Sequence, residues 1–491
     1  MKDRSGSVQY HRERAAQWGS LLSITSAALA TWLYIKPRTR GLAANLVGYG
    51  LKILGAAFAP LIALMGFVGA MLAQRTGRPG TGFLGMLGAL LAAGFVRSVS
   101  APHDGFERAF GPDWERRCEE GRAGAGAPGL PPATTASSSP PGLESLSAQK
   151  GRYLPHPAMR TRERQERMCA TGMLGRRWQW GQVAKDPKPY VIRDLAYAGV
   201  PHTDRRLLCD LWLPSDPPAA EARARRSGVG VIYLHGGAWQ AFDKDVATRP
   251  FFRHLCAQGH VVMDVAYRLA RETDMRGMLG DAKRAIAWLK QEGPRLGVNP
   301  DRIVLAGASA GAHLALLAAY TPNAPDLDPP DVRATDTTVR GAIAYYPVAD
   351  LRTLTDLWSE QSMHPLAAAA GRIVGYFPPE GYLPWSKLVQ RLFGLPLGAG
   401  DALKQELLAL SPVAHVGAHC PPTLLVQGLH DHVVPVEDVQ ALHRALVAAD
   451  RPSVLVELPQ VEHAFDMIAL QLSPPAQAAL YDVERFLALL A

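Results

Sequence analysis

A chain of 491 residues is too long for one small domain and sets an expectation of two or three units. Its net charge of +8 is unevenly divided: residues 1–190 hold 25 Lys and Arg against 12 Asp and Glu, and the remainder holds 27 against 32. The basic character therefore belongs to the N-terminal part, where no nucleic-acid motif accompanies it; basic flanks around apolar segments fit a membrane surface instead. The five cysteines, Cys118, Cys169, Cys209, Cys256 and Cys420, show no C-x-x-C spacing, so neither a disulfide framework nor a zinc site is implied.

The chain starts basic, with Lys2, Arg4, Arg12 and Arg14. Residues 18–35 are then uncharged and mostly apolar, with Trp18, Trp32 and Tyr34 near the ends and Lys36, Arg38 and Arg40 behind. This pattern predicts a membrane span rather than a signal peptide, because no small-residue cleavage pattern follows. Residues 53–73 carry no charge and predict a second span, kinked at Pro60. Residues 81–96, glycine-rich between Arg78 and Arg97, predict a third span or a re-entrant segment. Two or three spans are thus expected, and Lys and Arg flank each of them, which leaves the orientation open. Phe106, Phe110 and Trp114 are spaced by four and suit a short interfacial helix or a juxtamembrane connection. Residues 121–189 read as a disordered, basic linker: Gly, Ala, Pro and Ser dominate as far as Lys150, and a basic stretch follows at 160–177.

From residue 190 short apolar runs alternate with amphipathic stretches, the pattern of an α/β domain with a mostly parallel central sheet. Strands are expected at 191–196, 206–213, 229–234, 260–265, 302–306, 340–346, 422–427 and 453–458. Helices are expected at 246–257, 277–292, 309–320, 435–449 and 476–489. The interval 350–410 is too long for a plain connection and reads as an inserted helical cap, rich in Leu, Phe, Trp and Pro, that would roof a site. The expected units are a membrane region (1–120), the linker (121–189) and the α/β domain (190–491).

Inside that domain the strand ending at Ala306 runs into Gly307-Ala308-Ser309-Ala310-Gly311, and an apolar helix follows. A turn this tight has room only for small residues beside its tip, and it pushes the Ser309 hydroxyl out at the C-terminal end of a strand. The N-terminus of the next helix favours negative charge developing there, so Ser309 is presented as a nucleophile. Ligands of open α/β sheets sit at such strand ends. After strand 229–234 comes His235-Gly236-Gly237-Ala238-Trp239, whose small residues allow the N–H groups of Gly237 and Ala238 to converge with that of Ala310 on an oxyanion. After strand 422–427, Asp431 lies in Gly428-Leu429-His430-Asp431-His432 and suits an orienting acid. The expected base is His463, in Val461-Glu462-His463-Ala464-Phe465. His430 and His432 are nearer to Asp431 in sequence, but neighbours on one loop point away from each other.

These motifs, together with Asp264-Val265-Ala266-Tyr267-Arg268-Leu269, Asp281 to Leu289, Asn299-Pro300-Asp301-Arg302 and Ala312-His313 after the serine turn, resemble the α/β-hydrolase superfamily over residues 190–491. Within it they resemble the hormone-sensitive-lipase-like and feruloyl-esterase-like carboxylesterases, including prenylcysteine methylesterases and arylformamidases. The resemblance implies an α/β-hydrolase fold, a Ser309, Asp431, His463 triad and an oxyanion hole at Gly237, Ala238 and Ala310. Two departures, Ala238 in place of a third glycine and Ala-His after Gly311, lean towards the methylesterase and arylformamidase side. The expected function is a multi-pass, membrane-anchored serine carboxylesterase acting on a lipophilic ester through an acyl-enzyme, with no metal or organic cofactor. An amidase, an acyltransferase and an inactive hydrolase-fold scaffold remain as alternatives. The partners implied are an ester substrate and the bilayer.

Overall fold

Strands buried on both faces, with helices packed against each, build this fold. The computed structural model describes residues 3–36, 42–124, 188–200, 203–214, 226–359 and 383–491. The expected linker over 125–187 and the middle of the expected cap, 360–382, lie outside the described residues.

The described residues form one eight-stranded sheet of order β1-β2-β4-β3-β5-β6-β7-β8. Its strands are β1 (Tyr190–Gly199), β2 (Arg206–Leu213), β3 (Gly230–Leu234), β4 (Val261–Val265), β5 (Ile303–Ala308), β6 (Gly341–Tyr345), β7 (Thr423–Gly428) and β8 (Ser453–Leu458). β1, β2 and β4 pair antiparallel, and the rest of the sheet is parallel. Each expected strand is present. β1 runs to Gly199 instead of stopping near 196, because register shifts after Ile192 and Ala196 let the pairing continue while breaking the two-residue period.

The inner parallel strands, β3 to β7, are buried on both faces, which is why they read as short, mostly apolar runs. On one face Ile232, Leu234, Met263 and Leu305 meet α8 (Met275–Leu296), α9 (Ala310–Tyr320) and α13 (Val436–Ala448). On the other, Val231, Tyr233, Val304 and Val454 meet α7 (Arg249–Ala257) and α14 (Pro474–Leu490). The cap interval holds α10 (Leu351–Ser359), α11 (Trp385–Phe393) and α12 (Asp401–Ala409).

The N-terminal region consists of α1 (Asp3–Tyr34), α2 (Leu42–Ala57), α3 (Ala59–Arg75) and α4 (Pro79–Val99), then the short α5 (Gly105–Phe110) and α6 (Trp114–Gly124). Of the two or three spans expected, one is met by a single helix and a second only if a bent pair is one span. By length and composition one helix, α4, is apolar enough to cross a membrane, with a mean hydropathy of 1.6. Residues 50–57 and α3 meet that test only as a pair bent by 75°. The break falls at Phe58, because Pro60 has no N–H to continue a helix and sits instead in the first turn of the next. Helix α1, expected as a span over 18–35, is long enough but too polar, since Ser20, Ser23, Thr25, Ser26 and Thr31 interrupt it.

Those serines belong to a close helix packing. Ser26 Oγ donates to Ile62 O at 2.8 Å, and a Cβ added to Gly66 or Gly88 would lie 2.5 Å from Ser26 Oγ. Only glycine admits so close an approach of helices.

The bundle is not separate from the α/β domain. Leu33, Ala56, Phe95, Val96, Val99 and Phe106 share one buried cluster with Phe486, Leu487 and Leu490 of α14. A fully buried Phe contributes about 1.5–3 kcal/mol, so Phe95, Phe106 and Phe486 alone make this a firm attachment. The aromatic triplet expected at an interface is part of it: Phe106 stacks on Trp114 at 4.9 Å, and Phe110 meets Phe486 at 6.1 Å.

Candidate active site

The serine turn follows from sterics. Ser309 has φ 53°, and its N–H donates to Tyr345 O at 2.9 Å, which pins the turn to β6. A Cβ on Gly311 would stand 2.1 Å from Leu234 O, and one on Gly307 would stand 2.6 Å from Gly311 backbone atoms. These contacts involve backbone on both sides, so neither neighbour gives way and any larger residue displaces the helix from β3.

The structure brings Ser309, His463 and Asp431 together from the ends of β5, β8 and β7. His463 Nε2 is 3.0 Å from Ser309 Oγ, and His463 Nδ1 is 2.8 Å from Asp431 Oδ2. Asp431 Oδ2 also accepts from Gln427 Nε2 at 2.9 Å, while Oδ1 accepts from the N–H groups of Val433 and Val434, each at 2.9 Å. Burial by itself would push this carboxyl up; His463 and the two backbone donors outweigh it and hold Asp431 below its ordinary value. Ionised, Asp431 only accepts. Nδ1 of His463 must then carry the proton, and Nε2 is left to accept from the Ser309 hydroxyl.

The turn after β3 lies against the serine. A Cβ built on Gly236 would be 3.5 Å from Ser309 Cβ. Gly237 adopts φ 119° and Ala238 φ 51°, and Gly237 O accepts from the N–H groups of Gln240 and Ala241 at 3.1 and 3.0 Å. That arrangement holds the turn of Gly237 and Ala238 directly after the Gly236 contact with Ser309. Two flanking residues explain the remainder of the motif. His235 stacks on Tyr267 at 4.5 Å, and Tyr267 Oη donates to His235 O at 2.8 Å. Trp239 is buried edge-on against His313, 5.4 Å away.

His313, the departure after Gly311, donates from Nε2 to Leu410 O at 2.8 Å and so ties the helix of the serine to the end of the cap interval. Burial lowers it to about 4, which keeps it neutral. The cap is joined to the site at two other points: Leu383 N donates to Gln240 Oε1 at 2.7 Å, and Trp358 Nε1 donates to Val433 O at 3.0 Å.

His430 and His432, the rival bases, do not reach Ser309 by any contact described. His430 Nδ1 is bonded to Lys52, and His432 Nδ1 to Glu462. Sequence reasoning missed Tyr346 and Asp466. The Tyr346 ring lies 4.3 Å from that of His463, and its hydroxyl donates to Asp466, whose carboxyl burial pushes up. Tyr346 holds φ 38° at the end of β6, a strained backbone that no local sequence signal marks.

Among known proteins, the BD-FAE family matches residues 220–446. The chain is 31% identical over 337 residues to the probable carboxylic ester hydrolase LipM of Mycobacterium tuberculosis, a match that covers 66% of this chain and 69% of LipM. It is 31% identical over 279 residues to esterase LipQ of the same organism, covering 57% of this chain and 59% of LipQ. Among solved structures, the butyrate-bound esterase Est2 of Thermogutta terrifontis is 27% identical, with a TM-score of 0.45 and coverage of 61% of this chain and 94% of Est2.

Proposed function

The chain belongs to the BD-FAE family of hormone-sensitive-lipase-like and feruloyl-esterase-like α/β-hydrolases, and on that premise we propose that it hydrolyses carboxylic esters through Ser309, His463 and Asp431. Ser309 Oγ attacks the ester carbonyl carbon as its proton passes to His463 Nε2, and Asp431 balances the imidazolium that forms. The oxyanion is met by the N–H groups of Gly237, Ala238 and Ala310. His463 returns the proton to the departing alcohol, leaving an acyl-enzyme. Water, deprotonated by the same nitrogen, then attacks the acyl carbon and frees the acid and Ser309. The observation that carries this reading is the pair of hydrogen bonds at His463, to Ser309 at 3.0 Å and to Asp431 at 2.8 Å.

A fluorophosphonate probe tests it. The probe is expected to add to the peptide holding Ser309, as read by mass spectrometry. Turnover of p-nitrophenyl esters is expected to rise with acyl length, in keeping with a lipophilic substrate under the Trp358 and Trp385 pair of the cap. A folded protein that takes no label would leave the scaffold reading in its place, and a flat chain-length profile would remove the lipophilic preference.

We further propose that the α3–α4 hairpin attaches the protein to a bilayer. Leu64 and Phe67 on α3 and Phe83 and Leu90 on α4 turn outward, from 48% to 69% exposed, where a protein in water gains nothing from them. Membranes washed at alkaline pH are expected to retain the protein, and detergent to release it. Release by the wash alone would end this part of the proposal.

A further inference from the structure

The one buried lysine of the described N-terminal helices stands behind the candidate triad. Lys52, on α2, is 1% exposed. Its Nζ donates to Ile35 O at 2.5 Å and to His430 Nδ1 at 2.6 Å, and lies 3.7 Å from Glu462 Oε1. Glu462 is equally buried, and its other oxygen is 2.8 Å from His432 Nδ1. His430 and His432 flank Asp431, and Glu462 precedes His463. Asp431 faces His463, and His463 faces Ser309, while His430 and Glu462 reach Lys52 on α2 and His432 reaches Glu462. One ammonium thus joins the loop of the acid to the loop of the base.

The backbone already joins these loops: Leu429 N donates to Leu458 O at 3.0 Å and His430 N to Val461 O at 2.9 Å. Lys52 adds a second side-chain link beside that of His432 to Glu462, and the one that reaches the N-terminal helices. Burial, and after it the charges of Lys52 and Lys36, lower His430 to about 4, so its imidazole is neutral and Nδ1 offers a lone pair to the ammonium. Packing alone does not account for such a residue. A methionine fills similar space, and burying an ammonium costs several kcal/mol before any partner is counted.

We propose that Lys52 is a positioning residue for ester hydrolysis: reaching from the N-terminal helices, it fixes the Asp431 loop against the His463 loop and makes turnover depend on how those helices are seated. This rests on the Ser309, His463 and Asp431 reading above. The spacing between Asp431 and His463 sets the orientation of the imidazole, and a misplacement of about 1 Å in such a contact costs up to about 100-fold in rate. The helical bundle, whose outer face is apolar, is thereby wired to the chemistry, and whatever shifts the bundle shifts the rate.

The test uses the full chain in detergent as wild type, Lys52→Met, Lys52→Met/Glu462→Gln and Ser309→Ala. Thermal unfolding, kcat and KM on p-nitrophenyl butyrate, and the rate of fluorophosphonate labelling are measured for each. Lys52→Met is expected to lower kcat by about 10- to 100-fold, with KM within about twofold and labelling slowed in proportion, because both reactions need an activated Ser309. The double variant removes the carboxylate charge that has lost its ammonium, keeps an amide oxygen at position 462 for His432, and is expected to keep the low kcat, since the Lys52 link between the loops is still missing. Wild-type kcat in a folded Lys52→Met protein overturns the proposal. So does wild-type kcat in the double variant, which would trace the loss to a stranded charge; that comparison also decides if Lys52→Met alone does not fold. Turnover surviving in Ser309→Ala would instead bring down the reading on which the proposal rests.

Discussion

Ser309→Ala is expected to lower kcat by about 10⁴- to 10⁶-fold and to abolish fluorophosphonate labelling, with KM little changed. Removing a nucleophile costs about this much, and what remains comes from the oxyanion site and binding. The loss should be clean, because the turn is held by backbone: Ser309 N to Tyr345 O at 2.9 Å and His313 N to Ser309 O at 3.0 Å. Neither bond uses the hydroxyl. Alanine at φ 53° is no more strained than serine, so the melting temperature is expected to stay within a few degrees. Progress curves on p-nitrophenyl butyrate at high enzyme concentration make the measurement. A residual rate above about 1% of wild type would show that another group attacks the ester.

Asp431→Asn is expected to cost about 10⁴-fold in kcat through the wrong histidine tautomer, and the surrounding loop dictates which way the amide turns. Oδ1 accepts from two backbone N–H groups, those of Val433 and Val434, at 2.9 Å each. An asparagine must put its one oxygen there, so its NH₂ takes the place of Oδ2 and faces His463 Nδ1. Nδ1 then has to accept, the proton moves to Nε2, and Nε2 can no longer take the proton of Ser309. Gln427 is able to adjust: its Oε1 has no hydrogen-bond partner among the described residues and by an amide flip can meet the new NH₂. The variant should therefore fold, and the loss should appear in kcat with KM nearly unchanged. A loss below about tenfold would mean that the tautomer is set by something other than Asp431.

The positions of the candidate site were legible because each lies beside a local steric demand. Small residues at 307, 308, 310 and 311 signal a turn whose neighbours are backbone atoms, and the distances at Gly311 state that demand in ångströms. The strands were legible for a related reason. A strand buried on both faces carries a short apolar run rich in Val, Ile and Leu and bounded by turn residues, and β3, β4 and β5 are such runs. The N-terminal helices were the harder case. An apolar helix against a protein core and one against lipid have the same composition, so residues 18–35 suggested a span where the structure has a helix interrupted by serines and threonines, and 53–73 passes as a span only as a pair bent at Phe58.

By itself the sequence determined the α/β domain, where its strands lie along the chain and the types of residue at the strand ends, because these depend on steric and hydrophobic needs within a few residues of each position. It also separated His463 from His430 and His432, since adjacent side chains on one loop diverge. What only the tertiary structure decided involves partners far apart in the chain: Tyr346 beside His463, His313 bonded to Leu410, the shared core of Phe95 and Phe486, and Lys52 between His430 and Glu462. A lysine in an apolar helix looks like one that reaches for water. It becomes a link between two loops only when 378 residues of chain return His430 to its Nζ, and no spacing within α2 encodes that return.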